Sequence, residues 1–327
     1  MKTALIIGGT GQIGLAVAHH LVRDDWEVCL ASRQAPAAPG PWRHVRYDHR
    51  EPGALAAAIG NGADLLLDCI AFDEADAEQL SSVKSAVDRI VAISSVSVYR
   101  DEAGRTLDEA AEAGFPEFPV PIPETHPTLE PGPATYSTRK AAMERRLLDE
   151  AGGQVTILRP AAIHGPHSMH AREWWFVKRL LDGRECIPLA YGGQSRFQTT
   201  STAAIAEAVA WVCQGGKPSV LNVCDADAPT TTEIARAIMA VLGRHAELAG
   251  LPDEPYPPTI GMSPWSVPLP MVCSSSAPSV GTYAQTVDAA IEWLVGATRG
   301  RDWKEVLPQL AAYPWDQFDY EAEDLVL

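Results

Sequence analysis

Ala4-Leu5-Ile6-Ile7-Gly8-Gly9-Thr10-Gly11-Gln12-Ile13-Gly14 decides how the rest of the chain is read. Four apolar residues read as a short buried strand, and the apolar stripe of Leu15-Ala16-Val17-Ala18-His19-His20-Leu21-Val22 reads as a helix. Between them lies a glycine turn. The N–H groups of a first helical turn have no partners within the helix, and the helix dipole favours an anion beside them. Glycine lets the backbone turn sharply and come close to a pyrophosphate. A glycine triplet alone is weak, but here it stands between a strand and a helix, as dinucleotide binding requires. A structural turn without a ligand is the competing reading.

Glu27-Val28-Cys29-Leu30-Ala31 reads as the second strand, ending at Ser32-Arg33. An NAD site places an acid here, about 20 residues past the turn, to hold the ribose 2′-hydroxyl. Ser32 and Arg33 stand there instead, and a guanidinium suits a 2′-phosphate. NADP(H) is therefore favoured over NAD(H), against the simpler reading of a solvated arginine at a strand end.

The chemistry comes from Tyr136-Ser137-Thr138-Arg139-Lys140. Residues four apart lie on one helix face, so Tyr136 and Lys140 project together. An ammonium near a phenol lowers its pKa from about 10, which makes tyrosine a workable acid or base. Arg89-Ile90-Val91-Ala92-Ile93 reads as a buried strand ending in Ser94-Ser95, and Gln154 to Pro160 as another after the tyrosine helix. A dinucleotide turn and a proton-moving pair together point to a nicotinamide-dependent enzyme.

Over roughly residues 1 to 245 the chain resembles the extended short-chain dehydrogenase/reductase family, the NAD-dependent epimerase/dehydratase type. The resemblance rests on Gly8 to Gly14, Ser94-Ser95-Val96-Ser97-Val98-Tyr99, Tyr136 to Lys140, and Leu158-Arg159-Pro160 followed by Ile163-His164-Gly165-Pro166. Asp64 to Phe72 and Trp174-Trp175-Phe176 look most like its chloroplast stem-loop-binding-protein-like branch. The resemblance implies an α/β fold, a Rossmann-type doubly wound parallel sheet with a smaller C-terminal substrate-binding region. It implies that Gly8, Thr10, Gly11, Gln12, Ile13 and Gly14 hold the cofactor, with Ser32, Arg33, Asp48, Ala71 and Lys140. Ser95 would bond the reacting oxygen, Tyr136 would be the acid or base, and Lys140 would hold the nicotinamide ribose and tune Tyr136. Ser97, His164 and Arg196 would face the substrate, with Arg196 roughly matching an arginine that binds a nucleotide-sugar diphosphate.

Some positions depart from that pattern. Val96 and Ser97 stand where the sugar dehydratases carry an Asp-Glu pair, which argues against dehydration. The glycine usual after Val-Tyr is Arg100, the acid usual near Thr202 to Ala204 is missing, and the segment from Arg100 to Pro133 is long. The expected activity is reduction of a ketone or oxidation of an alcohol on a small polar or sugar-like molecule. Nucleotide-sugar epimerisation is the alternative, and a non-catalytic dinucleotide-sensing or RNA-associated protein the second alternative.

With 327 residues, 46% of them apolar, the chain can bury a full core. A net charge of -16 repels nucleic acid and anionic membranes. The six cysteines are scattered with no Cys-x-x-Cys pair and read as reduced thiols. The chain starts directly into its first strand, with no signal peptide and no long apolar run, so a cytoplasmic enzyme is expected. A homodimer is compatible with this, and the partner is a small molecule rather than nucleic acid or membrane.

Residues 1–165 are expected to be mainly the dinucleotide-binding domain and 166–327 mainly the substrate-binding region, with a strand near 219–223 returning to the sheet. Ala171 to Leu181, Thr202 to Cys213, Thr230 to Leu242 (capped by Thr231 or Thr232) and Gln285 to Val295 read as helices. Arg100 to Pro133 reads as a surface loop near the site. Proline-rich 251–278 reads as an ordered flap over the cleft, or equally as a bare surface loop, and the acidic tail from Asp316 as solvated. His164, His167 and His170 recur every three residues, but Pro166 breaks the local helix and no Cys or carboxylate stands beside them at ligand spacing, so no metal is expected. The Trp174-Trp175-Phe176 run reads as core more than as a stacking platform.

Overall fold

The computed structural model describes residues 1–216, 218–252 and 256–327. Its strands are β1 (Thr3–Ile7), β2 (Glu27–Ser32), β3 (Arg43–Arg46), β4 (Ala63–Asp68), β5 (Val87–Ile93), β6 (Val155–Pro160), β7 (Ala162–His164), β8 (Cys186–Leu189), β9 (Thr199–Ser201), β10 (Val220–Val223) and β11 (Glu247–Gly250). The longer helices are α1 (Gln12–Arg23), α2 (Ala54–Ile59) and α3 (Glu74–Ser82), then, after the short α4 (Ala110–Ala113), α5 (Tyr136–Ala151). There follow α6 (Trp174–Leu181), α7 (Thr202–Cys213), α8 (Thr231–Leu242), the single turn α9 (Tyr283–Thr286) and α10 (Asp288–Thr298). The chain closes with the short α11 (Trp303–Val306), α12 (Pro308–Ala311) and α13 (Tyr320–Asp324).

Among the described residues a seven-stranded sheet runs in the order β10-β6-β5-β4-β1-β2-β3, and its paired strands are parallel. The unbroken apolar runs explain this. In β1, Ala4 and Ile6 face the layer of α1 and α7, where Val17, Leu21, Ile205 and Val209 pack. Leu5 and Ile7 face the layer of α3 and α5, where Leu80, Met143 and Leu147 pack. Successive side chains point to opposite faces, so a strand buried on both sides must be apolar throughout. This is the Rossmann-type doubly wound sheet. Strand order reverses between β1 and β4, which opens a crevice at the carboxyl edge.

A second core gathers Trp174, Trp175, Phe176, Ile234, Ile238, Trp265, Ile291 and Leu294, so the aromatic run is core. Helix α8 is capped by Thr230 rather than Thr231 or Thr232, in a reciprocal pair with Glu233. Thr231 and Thr232 direct their hydroxyls to the Ser195 and Gly193 carbonyls, which fixes the helix to the segment before β9.

The acidic tail is solvated only in part: Asp316, Glu321 and Asp324 are exposed, but one acid is not. Glu323 on α13 is fully buried and pairs with Arg179 on α6. The Arg179 guanidinium lies 3.5 Å from the Trp175 ring centroid and donates to the carbonyls of Trp175 (2.9 Å) and Gln317 (2.7 Å). A guanidinium inside an aromatic core needs a counter-charge, and the tail supplies it.

Segments 100–133 and 251–278 pair with each other, residues 253–255 of the latter lying outside the described residues. Ile122 N–H donates to Val272 (2.7 Å), and Ser274 N–H returns to Ile122 (3.0 Å). Phe118, Ile122, Met271 and Cys273 share a small core with Val96 and Tyr99. Among the described residues no helix is long and apolar enough to cross a membrane.

Candidate active site

Parallel strands all end at one edge, so the turns after β1, β2, β4 and β5 meet there. Gly8 adopts φ +71 and its N–H donates to Ala31 (2.9 Å). A Cβ on Gly14 would lie 2.6 Å from Gly9 Cα and 2.7 Å from the Gly8 oxygen. That contact is with backbone, so α1 packs on the turn only with glycine there. Gly11 caps α1 without a side-chain hydrogen bond, which leaves the N–H groups of the first turn free for an anion. Thr10 and Ile13 lie in the same turn, and Gln12 donates to the Gly165 carbonyl (3.2 Å). Gly14→Ala is expected to cost about 1–3 kcal/mol by forced overpacking and to abolish dinucleotide binding. Thermal unfolding and cofactor quenching of tryptophan fluorescence check this; parental values in both would remove the glycine cradle from the argument.

At the end of β2 the Ser32 hydroxyl donates to the Gln34 carbonyl (2.7 Å) and lies 3.0 Å from His44 Nε2. Ser32 is thus held by its own chain. Arg33 is exposed and makes no hydrogen bond or ion pair with a described residue. Asp48 accepts from Arg50 N–H (3.0 Å), and that bond is the main cause holding its carboxyl below the usual range. Arg33 contributes in the same direction.

Ser95, Tyr136 and Lys140 meet at the ends of β5 and α5. Ser95 Oγ accepts from Ser97 N–H (3.1 Å). Tyr136 opens α5 and is 47% exposed, its ring 5.5 Å from that of Phe72. Burial of the hydroxyl pushes the Tyr136 pKa up; a hydrogen bond with Ser95 opposes this, and Asp108 adds to it. The expected lowering by Lys140 is therefore not found. Its ammonium is buried and turned to the carbonyls of Ala71 (2.6 Å) and Ile93 (2.9 Å).

Helix α5 is fixed to the sheet. Arg159 on β6 makes two bonds to Glu144, 3.0 and 2.5 Å, and a third to the Tyr99 hydroxyl (3.1 Å). At its N-terminus Thr135 and Thr138 form a capping box, and Asp108 accepts from Ser137 N–H (2.9 Å). An acid at that end also suits the helix dipole.

Tyr136 and Ser95 open into a cleft of about 510 Å³. Gln12, Ser97 and Asp108 line it with them, and Ser168, His170 and Arg172 face it from the C-terminal half. The Ser97 hydroxyl is buried without a partner among the described residues. Burial, then Arg172, pushes the His170 pKa down to about 3, so this ring is neutral near pH 7. Arg172 itself makes no hydrogen bond or ion pair with a described residue.

Two residues expected at the substrate lie elsewhere. His164 is 1% exposed, 2.8 Å from Asp225 and edge-on to Tyr283 at 4.9 Å, and it does not line the cleft. Arg196 donates to the Ala228 carbonyl (2.9 Å) and lines a separate depression with Tyr191, Val267 and Pro268. The chain before β9 is extended, so neighbours alternate: Phe197 enters the cleft and Arg196 points away. His167 packs on Trp293 and His170 on Tyr313, so the three histidines face different partners. No described residue of 251–278 lines the cleft; the flap packs against 100–133 instead. Asp68, Asp108 and Arg172 were missed by sequence reasoning. Only Asp68 carried a signal, as a charge ending the apolar run Leu65-Leu66-Leu67.

Residues 4–224 match the NAD dependent epimerase/dehydratase family. Over 166 residues, 49% of this chain, the sequence is 28% identical to 2′-dehydrokanamycin reductase of Streptomyces kanamyceticus. That match spans 42% of the reductase's length. The fold is similar to UDP-N-acetylglucosamine 4-epimerase from Methanobrevibacter ruminantium in complex with UDP-N-acetylmuramic acid, with TM-score 0.67, 16% identity, and 90% of this chain and 98% of that one covered. It is also similar to dTDP-glucose 4,6-dehydratase from Bacillus anthracis in complex with NAD, with TM-score 0.65, 15% identity, and 94% and 100% covered.

Proposed function

The chain belongs to the NAD-dependent epimerase/dehydratase family, and on that premise we propose that it is an NAD(P)-dependent oxidoreductase reducing a ketone on a small polar or sugar-like molecule. The observation that carries this is Tyr136 beside Ser95 at the cleft. Tyr136 is protonated at neutral pH and stands where it can give its proton to a substrate oxygen in the cleft. The partial match to 2′-dehydrokanamycin reductase supports the same direction.

Gly8, Thr10, Gly11, Gln12, Ile13 and Gly14 would hold the pyrophosphate, and Asp48 and the turn at Ala71 the adenosine half. Lys140 would hold the nicotinamide ribose. When bound, the dinucleotide supplies a hydride to the carbonyl carbon. Ser95 donates a hydrogen bond to the carbonyl oxygen, and Tyr136 delivers the proton to it. Val96 is buried and Ser97 is a hydroxyl, so neither supplies the acid/base pair that dehydration needs.

Arg33 favours NADP(H), since its guanidinium is unengaged where a 2′-phosphate would lie, while Ser32 is already bonded. Losing a charge-assisted contact costs about 1.5–3 kcal/mol. Arg33→Ala is therefore expected to weaken NADPH roughly 10-fold or more and to leave NADH nearly unchanged, read by fluorescence titration. Equal parental affinities for the two cofactors would refute the preference.

Epimerisation is the second reading, because Arg172 offers the cleft the unpaired guanidinium expected of Arg196, and that group suits a diphosphate. Incubation of ketones with NADPH, and of nucleotide-sugars with an amount of NAD⁺ or NADP⁺ stoichiometric with the enzyme, tests both. A reductase consumes one cofactor per product; an epimerase converts many substrate equivalents with no net change in the nicotinamide. No product with any of these substrates, while cofactor still binds, would point to a sensing protein. The net charge of -16 supports a small-molecule partner over nucleic acid or an anionic membrane.

A further inference from the structure

Asp68 ends β4 and is 5% exposed. Its Oδ1 accepts from the N–H groups of Ile70 (2.7 Å) and Ala71 (2.6 Å). Those two bonds set the turn at 69–71, and the turn has two neighbours. On one side Ile70 lies under the glycine turn, its Cγ2 2.6 Å from where a Cβ on Gly8 would stand. On the other, the Ala71 carbonyl accepts from Lys140 Nζ at 2.6 Å. One carboxylate thus supports both the cofactor turn and the lysine.

The charges around Lys140 single out Asp68. Burial disfavours the ammonium, and the groups opposing it are Asp68 first, then Glu144, Asp76 and Cys69. Glu144 is already bonded twice to Arg159. Asp76 accepts from Phe72 and Asp73 N–H at the start of α3. The Cys69 thiol is pushed far up by burial and carries no charge. Asp68 itself is raised to about 6, mainly by burial, with its two N–H bonds and Lys140 resisting and Asp76 adding to the rise; it is largely ionised at neutral pH.

We propose that Asp68 is a positioning residue for Lys140: its carboxylate builds the turn that receives the ammonium and is the counter-charge that keeps Lys140 protonated. The importance of this for turnover rests on the oxidoreductase reading, but its test does not.

The chain has six lysines, so [13Cε]lysine labelling gives few enough signals to assign Lys140 by its loss in Lys140→Arg. In Asp68→Asn the side-chain oxygen can still accept both N–H bonds while the charge is gone. The Lys140 titration midpoint is expected to fall by about 1–3 pH units, the size of a near opposite-charge effect. Asp68→Ala, which loses the acceptor as well, is expected to weaken NADPH binding at every pH. A parental Lys140 midpoint in folded Asp68→Asn overturns the proposal. If Asp68→Asn does not fold, the parent answers instead. Its Lys140 signal should show an inflection as Asp68 protonates near pH 6, and a flat trace there overturns the proposal. A shifted midpoint with undiminished ketone reduction would uphold the Asp68 role and count against Lys140 in catalysis.

Discussion

Tyr136→Phe is expected to lower turnover by about 10²–10⁴-fold, the usual worth of a positioned general acid, while NADPH binding stays near parental. The two halves of that result have separate causes. The phenylalanine ring keeps the contact with Phe72 and leaves the capping box of α5 and the Glu144–Arg159 anchor untouched, so the helix and Lys140 stay in place. Only the hydroxyl facing Ser95 is lost, and with it the proton donor. Steady-state rates and fluorescence titration on the same preparation measure both. Full activity in Tyr136→Phe would mean that the proton comes from elsewhere.

Glu323→Ala should produce a large stability loss, because it breaks an ion pair buried on both sides. Arg179 and Glu323 are each 0% exposed, and burial pushes the arginine pKa down and the carboxyl pKa up, each against the pull of the other. Removing one partner of a buried pair costs about 3–5 kcal/mol, because the remaining charge is left without compensation. Denaturant unfolding followed by tryptophan fluorescence reads it, Trp175 being stacked on the guanidinium. The double variant Arg179→Met with Glu323→Leu is expected to recover most of the loss, since no bare charge remains. A single variant as stable as the parent would show that the tail carboxylate is not engaged.

The parts of this protein legible in sequence are those set by short-range periodicity. The strand, glycine turn and helix at 3–23, the helix at 202–213 and the strand at 220–223 each announce themselves within a dozen residues. Tyr136 and Lys140 are legible as a pair four apart on one helix face, and Ser95 as what the family resemblance implies. Other parts depend on pairings across the chain. Asp108 reaches the tyrosine helix from an acidic segment in which no acid stands out by pattern. Arg196 lies outside the cleft while its neighbour Phe197 enters it, a distinction that turns on which face an extended residue presents and that is not visible without the register. His164, expected to face the substrate, is satisfied by Asp225, a residue 61 positions later.

The Arg179–Glu323 pair also sets an order of events during synthesis. Its partners are separated by 144 residues, which at about 5–20 residues per second is roughly 7–30 s of translation. Through that interval the aromatic core around α6 holds a guanidinium with no counter-charge, so the C-terminal core closes late. The central sheet lacks only β10 once residue 160 has emerged, and it can consolidate first. Ribosome-arrested chains ending before 317 should therefore show a protease-resistant sheet with a cleavable α6 region, and chains extended past 324 should resist throughout. Equal resistance of the two sets would mean that the core closes without its carboxylate.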